Sequence, residues 1–427
     1  LHVRASSRLQ ENTRRVTEDI SEKRKIMAKI ILKKSREDSL KSFHPWVFSG
    51  AIHSIQLDKD YPHDAPQEGE LVQVVDFNGK ILGVGHYQIG SIAVRILAFG
   101  TGELSPGFWK ERIGAAYRMR QDLGLISKVN NTYRLIHGEG DFLPGLVVDV
   151  YANTAVVQAH SIGMHVSRNV IAEAIKAEVP EVVNVYYKSD DTLPFKAQIE
   201  GDRVGYLLKK SDLDGDFWSL ENGLEFRIDW LRGQKTGFFV DQRENRALLE
   251  RYAKGRDVLN MFCYTGGFSV YALRGGAHWV DSVDVSEKAV ELVNRNVARN
   301  FPTGAPHKAH ACEAFEFMAD IRDKYDLIVL DPPAFAKHRD AIKNALRGYK
   351  RLNAKAIECI KPGGIIFTFS CSQAIDKEMF RLAVFSAAAQ VGRRVRILHQ
   401  LHQPQDHPIN IYHPEGEYLK GLVLQVE

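Results

Sequence analysis

The chain has 427 residues, enough for two or three domains, and a 44% hydrophobic content that can fill ordinary globular cores. No apolar run approaches the ~20 residues that span a bilayer, and the N-terminal stretch lacks the apolar core of a secretory signal, so a cytoplasmic protein with no membrane partner is expected. Four cysteines, at 263, 312, 359 and 371, form no C-x-x-C pair, which argues against a metal site and leaves reduced thiols that act singly; the formal charge of +4 suits a polyanion without demanding one.

Residues 1–26 are polar, with the basic cluster Lys23, Arg24 and Lys25. They are expected to be disordered, a loose helix or a non-native extension, with the folded protein starting at Met27; a basic arm that touches RNA is the functional alternative. From 27 to 101, short alternating runs at 30–33, 71–76, 81–83 and 93–97 are parted by turn residues, and Asn78-Gly79 predicts a type I′ hairpin. A small β-barrel follows from this pattern. Lys33, Lys34, Arg36 and Lys41 give it a basic edge suited to phosphates, and His44 and Trp46 either stack on a base or pack in the core.

Residues 102–215 predict a central α+β domain. A helix at 108–123 precedes strands at 133–136, 146–150 and 155–159, a helix at 167–177, and strands at 182–188 and 203–208, which we read as a strand, strand, helix, strand, strand unit. Gly138, Gly140, Pro144 and Gly145 shape a turn, in which Asp141 either contacts RNA or only serves the turn. No catalytic role is expected here. The third domain, 216–427, opens with a hairpin at Asn222-Gly223 and a strand at 224–230. Next come GQKTGFFVDQRENR at 233–246 and a helix to 253. Lys235, Thr236 and Gln242 either wall a cofactor pocket, or this stretch is structural, with Asp241 capping the helix and Arg243 paired on the surface.

The stretch from 257 to 286 organises the remainder. An apolar run ending at Phe262, a turn holding Gly266 and Gly267, an amphipathic segment stopped by Gly275 and Gly276, and a second strand ending on Asp284 read as strand, loop, helix, strand. Asp284 stands about 20 residues past the glycine turn, where a nucleoside-binding α/β fold places an acid on a ribose. The loop lacks the G-x-G-x-x-G that a pyrophosphate requires. S-adenosylmethionine (SAM), with a ribose diol, an amino-acid tail and no phosphate, fits Tyr264, Thr265, Gly266, Gly267 and Phe268 better. The expected fold is therefore α/β, with a Rossmann-like class I SAM methyltransferase domain at the C-terminal side.

Ser286 caps a predicted helix to 297, and Glu313 follows a strand at 307–311, where this fold often holds an adenine-contacting acid. The run YDLIVLDPPAF at 325–335 delivers Asp331, Pro332, Pro333 and Phe335 at a strand's carboxyl end, an arrangement suited to the amide-like edge of a base. After a helix at 340–360, a strand at 365–369 delivers Ser370, Cys371 and Ser372. A thiolate that adds to carbon 6 of cytosine makes carbon 5 nucleophilic; Asp331 would hold N3 and the exocyclic amine and stabilise the developing charge. Cys371 is thus the candidate nucleophile, against the reading of a buried core cysteine. Cys263, Cys312 and Cys359 are read as structural, although Cys263 could line the cofactor loop.

Several stretches together resemble a known family: HPWVFSG, KTGFFVDQR, FCYTGGF, DPPAF, RGYK at 347–350, FSCS, DHP at 406–408 and PEGEYLKG at 414–421. From Met27 onward the chain is similar to the bacterial PUA-containing 23S ribosomal RNA 5-methylcytosine methyltransferases. The resemblance implies a PUA RNA-binding domain at 27–101, SAM on the 264–268 loop and Asp284, the target base on residues 331–333, and Cys371 as nucleophile. Its expected partner is 23S ribosomal RNA; a homodimer is a further candidate assembly. The second cysteine that many RNA 5-methylcytosine enzymes carry in the strand-end proline motif is replaced here by Asp331-Pro332-Pro333-Ala334, which leaves the proton acceptor unassigned. Cys312-Glu313 stands where acids are expected. Two rivals remain: a base N-methyltransferase of the guanine type, which needs no thiol, and a non-catalytic RNA-binding assembly factor.

Overall fold

The computed structural model describes residues 26–194, 200–210, 216–335 and 339–427. The stretch expected to be an arm or extension lies, but for Ile26, outside those residues. Two compact units form, one ending at Leu104 and one spanning Ser105–Glu427.

The first unit holds β1 (Lys29–Leu32), β2 (Trp46–Phe48), β3 (Ile52–Gln56), β4 (Leu71–Val75), β5 (Ile81–Tyr87) and β6 (Ile92–Phe99) in one sheet of order β2-β6-β5-β4-β1-β3. Strand alternation sends Ile30, Leu32, Val72, Val74, Leu82, Val94 and Ile96 into a single buried cluster. Lys34 and Arg36 are exposed, Lys33 Nζ donates to the Gly50 carbonyl (2.8 Å) and Lys41 pairs with Glu37 (3.2 Å). The Asn78-Gly79 turn differs from the expected type I′, because Gly79 alone takes positive φ (84°). Its shape comes from Asp76, whose Oδ1 accepts the N–H groups of Asn78 and Lys80 (both 2.9 Å) and draws the chain into an Asx turn.

The second unit begins with helix α1 (Phe108–Asp122) and a sheet of order β11-β10-β9-β8-β7, built from β7 (Thr132–His137), β8 (Leu146–Tyr151), β9 (Thr154–Ala159), β10 (Asn184–Lys188) and β11 (Val204–Leu208). The three strands expected at 133–136, 146–150 and 155–159 all form before helix α2 (Arg168–Glu178), one more than a strand, strand, helix, strand, strand unit holds, since β7 pairs onto β8. Asp141 is no RNA contact. It is buried, with Oδ1 and Oδ2 both taken by the Arg120 guanidinium (Nη2 to Oδ2, 2.8 Å). A two-stranded ribbon, β12 (Trp218–Glu221) and β13 (Leu224–Arg227), turns through Asn222 and Gly223, both at positive φ (51° and 81°), as a type I′ turn requires.

The last sheet has seven strands, β14 (Asp257–Met261), β15 (Trp279–Asp284), β16 (His307–Ala311), β17 (Leu327–Leu330), β18 (Gly364–Ser370), β19 (Val395–His402) and β20 (Lys420–Val426), in order β16-β15-β14-β17-β18-β20-β19. The first five are parallel, whereas β20 runs antiparallel to β18 and β19. Both faces are covered at the centre, so β17 and β18 are buried along their whole length, whereas the edge strands β16 and β19 are polar and partly exposed. Leu327 and Val329 join one core cluster with α3 (Arg243–Ala253), α4 (Gly267–Arg274) and α5 (Glu287–Asn300); Ile328 and Leu330 join the other with α6 (Ile342–Cys359) and α7 (Lys377–Val391). Tyr151, Val156 and Tyr186 of the central sheet belong to the first cluster, which welds the two sheets into one unit. The chain reverses direction of travel at β14, leaving a crevice outside the carboxyl ends of β14, β15 and β17, where ligands of such sheets bind. Among the described residues no helix is long and apolar enough to cross a membrane.

Candidate active site

At the end of β14 the chain turns sharply, with Phe262, Tyr264 and Gly266 at positive φ (58°, 45° and 76°). Asp284, at the end of β15, fixes this loop: its Oδ2 accepts the Tyr264 N–H (3.0 Å) and its Oδ1 the Ser286 N–H (3.0 Å). Ser286 Oγ in turn caps α5 by accepting the Ala289 N–H (3.3 Å). Thr265 is buried and its carbonyl accepts Asn296 Nδ2 (2.8 Å), while Phe268 packs on Phe369, so the loop faces the crevice with backbone rather than with these side chains. Neither glycine leaves room for a side chain on the protein side. A Cβ on Gly266 would lie 2.8 Å from Val293 Cγ1, and one on Gly267 would lie 2.9 Å from Arg246 Cδ.

The flanking stretch answers the expectations unevenly. Lys235 is exposed, but Thr236 is buried, donating to Asp149 Oδ2 (2.6 Å) and bonding the Tyr151 hydroxyl (2.9 Å), which anchors the turn to the central sheet. Glu313 is exposed beyond β16. Arg243 is not a surface residue: at 1% exposure it donates to Asp406 Oδ2 (2.9 Å), which also accepts the Arg134 N–H (3.0 Å). Asp241 makes no helix cap either. Its Oδ2 accepts the Tyr418 hydroxyl (2.6 Å), and its Oδ1 is buried without a hydrogen-bond partner.

Gln242 reaches the strand end that carries Asp331. Its Nε2 donates to Asp331 Oδ2 (3.0 Å), and its own oxygen is held by Asn245 Nδ2 (2.6 Å). Asp331 and Cys371 follow adjacent parallel strands, β17 and β18, whose Leu330 and Thr368 are paired. Burial and the Asp241 carboxylate push Asp331 up to about 7, against the Gln242 hydrogen bond. Burial, Asp331 and Asp241 push the Cys371 thiol up to about 12, with Lys235 and Lys420 opposing. The half-buried polar position expected of a reactive thiol is present, but its surroundings are negative and keep the resting thiol protonated.

Helix α6 braces this corner. The Tyr349 hydroxyl bonds Ser370 Oγ (2.9 Å) and Ser372 Oγ (3.1 Å), fixing both neighbours of Cys371, and the Phe335 ring packs on Tyr349 with centroids 4.7 Å apart. Gly348 gives Phe335 its place, since a Cβ there would lie 3.0 Å from the ring. Pro332 is buried and Pro333 exposed; Cys263 and Cys359 are buried, and Cys312 half-buried.

Residues 202–413 match a family described as S-adenosylmethionine-dependent methyltransferase, and residues 30–99 match a PUA-like domain. Ribosomal RNA large subunit methyltransferase I of Shewanella denitrificans is 38% identical over 406 residues, covering 93% of this chain and 99% of the relative. This chain belongs to the ribosomal RNA large subunit methyltransferase I family. Its relative in Tolumonas auensis is 39% identical over 402 residues, with 93% and 98% covered. The fold is shared with a SAM-dependent methyltransferase from Streptococcus mutans (TM-score 0.77, 22% identity, 94% of this chain and 100% of that one) and with a methyltransferase complexed with SAH (TM-score 0.79, 22% identity, the same coverage).

A member of this methyltransferase family uses SAM, and the site's donor set fits it. A sulfonium and an ammonium are both cationic, and the crevice offers the carboxylates of Asp284 and Asp241, the latter with an orphaned oxygen. Sequence reasoning missed the tail's contribution, Tyr418 on Asp241 and Lys420 beside Cys371, because helix α7 and strands β19 and β20 went unassigned. Their one signal was the PEGEYLKG stretch, which marked a resemblance without a role.

Proposed function

We propose that this chain methylates carbon 5 of a cytosine in 23S ribosomal RNA, in the cytoplasm, through a covalent adduct of Cys371 at carbon 6. The observation that carries the reading is the pairing of a thiol and a proton-holding acid at the ends of adjacent strands β17 and β18. The named relatives support ribosomal RNA as substrate, and the PUA-like unit with its exposed Lys34 and Arg36 supports a phosphate-rich partner.

Asp284 would take the cofactor's ribose diol, and the amides leading into α4 would take its amino-acid tail; when bound, the cofactor supplies an electrophilic methyl group. Asp331, about half protonated near pH 7, donates in its neutral form to the ring N3 as Cys371 Sγ bonds carbon 6, so no net charge builds on the ring. Carbon 5 is then electron-rich. Loss of its proton after methylation returns the S–C6 electron pair to sulfur and the N3 proton to Asp331. Phe335, braced by Tyr349, and Pro333 would flank the base.

Nucleoside mass spectrometry on unmodified 23S transcript, incubated with SAM and either wild type or Cys371→Ala, tests the reading. 5-Methylcytosine from wild type and at least about a thousandfold less from Cys371→Ala, with SAM binding intact, is the expected result for a missing covalent nucleophile. An N-methylated base from both proteins would overturn it.

A further inference from the structure

We propose that Lys420 is the positioning residue that makes Cys371 a nucleophile: its neutral amine takes the thiol proton, and the resulting ammonium holds the thiolate. This rests on the reading of Cys371 above.

Lys420 opens β20 directly opposite Ser370, the residue before Cys371. Its Nζ donates to the carbonyl of Ser372, the residue after Cys371 (2.6 Å), and to the carbonyl of Tyr418 (2.8 Å). Lys420 therefore meets the Cys371 segment on both sides, by its backbone register at Ser370 and by its side chain at Ser372. Lys420 is only 5% exposed, and among the described residues no carboxylate forms an ion pair with it. Burying an ammonium without a counter-charge is costly, and two carbonyls meet only two of its three donors. The nearby thiolate supplies the missing anion.

The surrounding charges fit this exchange. Facing Lys420 are Cys371 after β18, Asp376 and Lys377 at the start of α7, and Glu417 before β20; burial brings Lys420 down to about 8, so the neutral amine is available near neutral pH. Facing Cys371 are Asp331 after β17, Asp241 before α3, Lys235, Lys420 and the Tyr349 hydroxyl of α6. Burial opposes either charge alone, whereas thiolate and ammonium together relieve each other. Protonation of Asp331 removes one of the two carboxylate charges that oppose the thiolate.

In the step itself, the S–H bond breaks, its proton bonds the Lys420 nitrogen, and the electron pair on sulfur forms the bond to carbon 6. At the end of the cycle the S–C6 pair returns to sulfur, which recovers the proton from Nζ. The carbon 5 proton leaves to water.

The test needs no RNA for its first readout. The rate of Cys371 alkylation by iodoacetamide, read by peptide mass spectrometry from pH 6 to 10, is compared in wild type, Lys420→Met and Lys420→Arg, with SAM binding by calorimetry as the check on folding. Loss of the ammonium should slow alkylation by about tenfold or more throughout this range, which lies below the thiol's own value, one unit being tenfold in thiolate. Lys420→Arg should keep alkylation near wild type, because the charge remains, yet lose methyl transfer, because guanidinium accepts no proton. Superimposable alkylation profiles for wild type and a SAM-binding Lys420→Met would overturn the proposal. Should Lys420→Met not fold, Lys420→Arg decides, and wild-type methyl transfer by it overturns the proton step. Either failure leaves the nucleophile itself to the Cys371→Ala assay.

Discussion

The carboxyl edge of the seven-stranded sheet is held in two different ways. At β14 and β15 the fixing groups are backbone amides on Asp284, a left-handed Gly266 and a serine cap. At β17, β18 and β20 the fixing groups are buried and ionisable: Asp331 at about 7, Cys371 at about 12, Lys420 at about 8, and behind them the Arg243–Asp406 pair. A cofactor grip needs a rigid set of donors. Under the proposed mechanism a nucleophile that is made and unmade each turnover needs groups that can exchange protons, and the two requirements would fall on separate strands.

The second half should break hardest at Asp406. Asp406→Asn removes the only buried carboxylate paired with Arg243 among the described residues, leaving it the half-exposed Glu244 at 3.4 Å, so it should cost ~3–5 kcal/mol, read as a lower denaturant midpoint for the second unit. Against its own burial, Arg243 and His407 hold Asp406 well below the usual carboxylate range. A depressed carboxylate stabilises the fold above its unfolded value, so wild type should lose this contribution as pH falls below about 4, and Asp406→Asn should not. A mutant with unchanged midpoint at pH 7 would remove the strut from the account.

Asp331 carries the opposite sign. Its folded value is raised to about 7, so between about pH 4 and 7 the folded protein keeps a proton that the unfolded chain releases, and stability falls as pH rises through that window. Asp331→Asn should therefore be more stable than wild type at pH 8 by roughly 1–3 kcal/mol, with the gain vanishing below pH 4, while methyl transfer is lost. Equal stability of the two proteins at both pH values would mean that Asp331 is not strained by its site.

This contrast also sets what the sequence could reveal. The 257–286 stretch was legible because its strand, loop, helix and strand are local patterns of period and punctuation, and β14, α4 and β15 follow them closely. The surroundings of Cys371 were not, since residues 241, 331 and 420 meet there from segments far apart in the chain. Arg243 and Asp406 lie 163 positions apart, and nothing near Arg243 distinguishes a buried strut from a surface pair. Strand β19 hid for another reason: as the sheet's edge it is largely exposed and reads as polar. Even identical dipeptides diverged. Asn222-Gly223 made the type I′ turn, and Asn78-Gly79 did not, because Asp76 competes for its amides.

The first half of the comparison is sharpened by Gly266→Ala. Its φ of 76° disfavours any L side chain, and the added methyl would meet Val293 at 2.8 Å, so the variant should lose about 2 kcal/mol, a smaller effect than Asp406→Asn. The damage should also be of a different kind. Because the loop that Asp284 holds would have to shift, SAM affinity should fall by about tenfold, equivalent to ~1.4 kcal/mol, with the same ratio at pH 6 and pH 9. Calorimetric titration at the two pH values measures that ratio directly. A ratio that changes with pH would show that the cofactor loop is coupled to the ionisable groups across the crevice and that the two halves of the edge are one system.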